Sequence, residues 1–101
     1  MKNIQETIIT AVADSFYISP EDITKKERGT AYEACARHSA AFLLCKITPY
    51  SMADIGGILG GRTGAAMAYS RDKIQDWIQT DGFVKSRVEI AEAKINKSLK
   101  A

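Results

Sequence analysis

At 101 residues the chain is long enough for one domain that buries roughly two-thirds of its unfolded surface, so neither disulfides nor a structural metal is required. With 46% hydrophobic and 26% charged residues, and no apolar run approaching the ~20 residues of a bilayer span, the composition excludes a membrane-embedded protein. The net charge of +2 is unevenly spread. Residues 1–24 set Lys2 against Glu6, Asp14, Glu21 and Asp22, whereas residues 25–73 set eight basic side chains against Glu27, Glu33, Asp54 and Asp72.

Ile4, Ile8, Val12 and Phe16 recur at four-residue spacing and predict an amphipathic helix ending near Tyr17. Ser19-Pro20-Glu21-Asp22 reads as a second helix start, with serine as N-cap, proline at the first helical position and acids in the first turn. The apolar period is gone by Lys25-Lys26-Glu27-Arg28-Gly29, which reads as an exposed basic loop. Thr30 caps a third helix to about Lys46, whose Tyr32, Cys35, Ser39, Phe42, Leu43 and Lys46 share one broad face. Ile47-Thr48-Pro49-Tyr50 breaks it. Ser51 with Asp54 resembles a capping box opening a fourth helix to about Leu59, which Gly60-Gly61 stop. Thr63 caps a fifth to about Gln79, with Met67, Ser70, Ile74, Trp77 and Ile78 inward. After Asp81-Gly82 a last helix over about 82–99 carries the stripe Val84, Val88, Ala91, Ile95 and Leu99. No alternating strand pattern occurs, so an all-α fold of about six helices is expected, one domain over 1–101.

"GGILGGRTGAAM" (56–67) holds five of the seven glycines. Each interior glycine costs a helix about 1 kcal/mol relative to alanine, so the run calls for a purpose. A helix over 51–59, a glycine turn and a helix over 63–79 is the layout of a helix-turn-helix, in which the second helix enters the DNA major groove by its N-terminal end. A tip of glycine and alanine keeps that helix thin and leaves its N–H groups free for a phosphate. A structural helical hairpin with a glycine corner has the same spacing.

Cys35 and Cys45 lie ten residues apart in the third helix and cannot pair within it; they read as small buried hydrophobes of a reducing compartment. With one histidine, His38, a zinc site lacks ligands. No paired carboxylates and no nucleophile beside a base are evident, and no "GxxxxGK[ST]" occurs, so neither an enzyme nor a cofactor is expected. The amino terminus, "MKNIQE", has no long apolar core of a secretory signal, and a cytoplasmic protein is expected.

Ile55-Gly56 followed by Gly60-Gly61-Arg62 resembles the signature "IG…FGGRDHTTV" of the Trp-repressor-like C-terminal DNA-binding domain of the bacterial replication initiator DnaA. The likeness runs from about residue 4 to 79. "IQETIITAVADSFYISPEDI" is similar to that domain's opening helices, "TKKER" to its basic loop and "ARHSAAFLL" to its middle helix. "SMADIG" is similar to its "SLPEIG" and "RDKI" to its "CRKI". The resemblance implies duplex DNA as partner, in replication initiation or its regulation, with other replication or phage proteins as further candidates. It implies that Arg62 contacts DNA near the recognition site, that Lys25, Lys26 and Arg28 contact phosphates, and that Arg37 anchors another. Arg62 also reads as a solvated turn charge, the loop cations as a generic exposed loop, and Arg37 as an ion-pair partner of Glu33.

On the fifth helix Thr63, Gly64, Ala65, Ala68, Tyr69 and Asp72 would face the groove, with Arg71 and Lys73 as phosphate partners. The base-reading "DHTT" corresponds here to Thr63, Gly64, Ala65 and Ala66, and the first arginine of the family's "RPRQ" to Cys35. Altered sequence preference is therefore expected. A protein-interaction domain that kept the fold and lost the DNA site is the alternative.

Overall fold

The computed structural model describes residues 3–100; Met1, Lys2 and Ala101, at the ends of the expected 1–101 domain, lie outside the described residues. Six helices follow in chain order: α1 (Ile4–Phe16), α2 (Pro20–Thr24), α3 (Ala31–Ile47), α4 (Met52–Ile58), α5 (Gly64–Thr80) and α6 (Gly82–Lys100). No strand occurs among the described residues.

Five of the six helices begin where a short polar side chain accepts from an unpaired N–H of the first turn, and at α2 the contact runs the other way, from the cap residue Ser19 to Asp22. Asn3 Oδ1 accepts from the Glu6 N–H at 2.8 Å. The Asp22 carboxylate accepts from the Ser19 N–H at 3.2 Å. Thr30 and Glu33 cap reciprocally, as do Ser51 and Asp54. Thr63 Oγ1 accepts from the Ala66 N–H, and Asp81 Oδ1 from the N–H groups of Phe83 and Val84. Asp81 alone separates α5 from α6, so Gly82 is helical rather than part of a turn.

α3 is the central helix and packs against α1, α2, α4 and α5. Ala34, Ala36, Ala40 and Ala41 are buried along it, and these small side chains let the neighbouring helices approach closely. Ile8, Val12, Phe16, Ile23, Leu43, Leu44, Ile55, Leu59, Met67, Ile74 and Ile95 complete the core, each worth about 1.5–3 kcal/mol of hydrophobic burial. α6 lies across α1 and α5 through Val84, Val88, Ala91 and Ile95. Leu99, expected as the last member of that stripe, is exposed because the stripe runs past the end of the core. Cys35 and Cys45 are free and only half-buried; burial pushes the Cys35 thiol up to about 11.

Candidate nucleic-acid interface

α4 and α5 pack together across the turn Leu59–Thr63. The turn closes on one carbonyl: Gly56 O accepts from the N–H groups of Gly61 and Arg62 at 3.0 and 2.8 Å. A Cβ on Gly56 would collide with the Arg62 carbonyl, so only glycine permits this approach. Gly60 sits at φ 93°, and a Cβ there would also meet Lys25 O at 2.6 Å, because the basic loop passes directly over it. Gly57, by contrast, faces open space.

The tip of α5 is uncovered. Thr63 and Ala65 are exposed, and Gly64 is half-buried against Met52 and the Ala53 N–H of α4. α6 approaches α1 and α5 but makes no substantial packing with α4.

The basic loop is tied to this turn by an arginine. Arg62 donates through Nη1 to the carbonyls of Lys25 (3.0 Å) and Leu59, and through Nη2 to those of Lys26 (3.2 Å) and Glu27 (3.1 Å). Its guanidinium is therefore neither a simple solvated turn charge nor a free hand held out to DNA. Partial burial lowers its pKa, Glu27 acting in the opposite sense.

Arg37 corrects the expectation of a phosphate anchor. It is 3% exposed, and its Nε donates to Ile23 O (3.1 Å) while Nη2 donates to Glu27 O and Arg28 O. A guanidinium so enclosed holds the loop from beneath and cannot touch a phosphate. It does not ion-pair with Glu33 either, because Lys25 Nζ occupies that carboxylate at 2.9 Å. The Thr30 N–H and the Lys25 ammonium together hold the Glu33 carboxyl below its ordinary pKa.

Of the loop cations, Lys25 is thus turned back onto Glu33, whereas Lys26 and Arg28 are exposed and, among the described residues, have no carboxylate within 4 Å. One turn along α5 from the tip, Tyr69 stands 58% exposed. Lys73 Nζ donates to its hydroxyl at 2.6 Å and lies over the Tyr69 and Trp77 rings at 4.9 and 5.4 Å. Arg71 is engaged with Asp72 at 3.0 Å, which offsets its charge and raises its pKa. Ala68 is half-buried and Asp72 exposed.

His38 packs behind this group, its Nδ1 2.7 Å from Ser70 Oγ and its ring 6.5 Å from those of Tyr69 and Trp77. Burial, with Arg37 and Lys73 adding to it, brings its pKa down to about 4, so it is neutral at pH 7. Sequence reasoning overlooked Glu33 as the partner of Lys25, although Thr30 three residues before an acid was a capping signal. It also overlooked the Glu27 carbonyl as a shared acceptor, which no sequence pattern announces.

Among the described residues no three His, Cys, Asp or Glu side chains gather as metal ligands, and no helix is long and apolar enough to cross a membrane.

A short helix joined by a glycine-closed turn to a longer one with a bare, uncovered tip defines a helix-turn-helix protein. Comparison with known proteins narrows the class. The family described as "Bacterial dnaA protein helix-turn-helix" matches residues 5–74. The chain is 32% identical over 97 residues to the chromosomal replication initiator protein DnaA of Oenococcus oeni, covering 96% of this chain and 20% of that one. It is 34% identical over 90 residues to the protein of the same name from Campylobacter fetus and 35% over 91 residues to that of Aliarcobacter butzleri, covering 89% and 90% of this chain and 20% of each relative. The chain belongs to the bacterial DnaA helix-turn-helix family and spans about a fifth of the length of these relatives.

Proposed function

We propose that the chain is a cytoplasmic, non-catalytic module that binds double-stranded DNA, in replication initiation or its regulation, with sequence preference altered from that of the DnaA family. The tip Thr63-Gly64-Ala65 enters the major groove, Lys26 and Arg28 hold phosphates beside it, and Tyr69 with Lys73 extends the contact one turn along α5. Arg62 and Arg37 act from behind, as positioning residues. The observation that carries the reading is the set of four hydrogen bonds from Arg62 to the turn and the loop, which makes the uncovered tip and the exposed cations parts of one rigid surface.

Thr63 and the small residues after it offer a thymine methyl apolar contact but few hydrogen bonds, so phosphate contacts dominate the affinity. Selection of bound sequences from a random duplex pool at low salt tests this. The expected result is retention of duplexes with a shallow preference. Failure to retain any duplex overturns the proposal and favours the second reading, a protein-interaction domain, which rests on Thr63, Gly64, Ala65 and Ala66 standing where the family carries "DHTT".

A further inference from the structure

At the far end of α5, about 25 Å along the helix from the tip, a second surface has no part in the DNA reading. Tyr17 closes α1 in the left-handed conformation, φ 57°, the position where a helix normally ends on glycine. Its side chain is 84% exposed, so burial does not explain why a bulky residue occupies a strained position. Beside it Phe83 and Tyr32 are 49% and 41% exposed, their centroids 6.1 Å apart over the buried ring of Phe16.

The Arg87 guanidinium lies between these rings, 5.8 Å from Tyr17 and 5.4 Å from Phe83. It donates to Ser15 O at 2.9 Å, its Nε has no partner, and among the described residues no carboxylate lies within 4 Å of it. Exposed aromatics around an uncompensated arginine are the composition of an interface centre. A single cation that, among the described residues, has no carboxylate within 4 Å is complemented by a single carboxylate on a partner.

We propose that Tyr17, Phe83, Tyr32 and Arg87 form a docking face for a partner protein segment that presents an Asp or Glu next to an apolar side chain. The carboxylate pairs with Arg87 and the apolar neighbour packs on the rings. Docking there leaves the α5 tip free, so the proposal does not depend on the DNA reading.

The test pans a random-peptide display library against the full chain, with counter-selection on Arg87→Ala. Recovered peptides are expected to share an acidic residue beside an apolar one and to lose at least tenfold in affinity for Tyr17→Gly. That substitution relieves the backbone, so its melting temperature should be unchanged or higher. Arg87→Lys, which keeps the charge but not the planar fork, should lose about fivefold. The proposal is overturned if no such motif is recovered, or if the peptides bind Tyr17→Gly as well as they bind the parent. It is equally overturned if Tyr17→Gly instead weakens duplex DNA binding, or dissolves a self-associated dimer in sedimentation.

Discussion

Arg37 and Arg62 meet on one atom: the carbonyl oxygen of Glu27 accepts from Nη2 of both, at 3.2 and 3.1 Å, one guanidinium coming from the core and the other from the turn of the helix-turn-helix. Between them they also bind the carbonyls of Ile23, Lys25, Lys26, Arg28 and Leu59. A loop whose exposed side chains include two cations, Lys26 and Arg28, on either side of Glu27 is thereby fixed through its main chain, which leaves the Lys26 and Arg28 side chains unspent.

Removing either clamp should be felt differently. Arg37→Ala strips three carbonyls of a buried donor and should destabilise by about 2–4 kcal/mol in chemical denaturation. Arg62→Lys keeps the charge, but an ammonium cannot span four carbonyls; it should lower stability by about 1 kcal/mol and duplex affinity roughly tenfold. Affinity unchanged in Arg62→Lys would show that the loop needs no clamp.

Two adjacent glycines give an internal control. Gly56→Ala drives a methyl group into the Arg62 carbonyl and should cost about 3 kcal/mol or more, or prevent folding. Gly57→Ala, on the exposed side of α4 with nothing nearby, should stabilise by about 0.5–1 kcal/mol. Calorimetric melting of the two variants checks both signs.

The His38 imidazole makes stability depend on pH. Because its folded pKa is depressed to about 4, below the unfolded value of about 6.5, the unfolded chain takes up a proton in that interval that the folded chain refuses. The contribution is therefore fully present above pH 6.5 and is lost as pH falls through about 4. Its size should be about 1–2 kcal/mol, the partial exposure of the ring discounting the full shift. Denaturation midpoints from pH 7 to 4 should fall less steeply in His38→Asn than in the parent.

The helices were legible because their signals are local. Ser19-Pro20, Thr30, Ser51 with Asp54, and Thr63 each announce a start within four residues, and the apolar periods identify the inward faces. The site was legible only as a region. An arginine in a sequence reads as surface charge, and nothing local marks that Arg37 is enclosed or that Arg62 reaches carbonyls 35 to 37 residues away. The glycine run identified the turn, yet the choice of Gly56 over Gly57 as the indispensable one depends on where the chain returns at Arg62.

The central claim is that an uncovered helix tip beside an arginine-clamped cationic loop grips duplex DNA, and its most direct test is a salt titration of duplex binding by fluorescence anisotropy. With Lys26, Arg28 and Lys73 each neutralising a phosphate, the logarithm of the binding constant should fall against that of salt with a slope of about −2.7, and Lys26→Ala/Arg28→Ala should reduce this to about −1. No duplex binding at low salt, or a slope that the double substitution leaves unchanged, would contradict it.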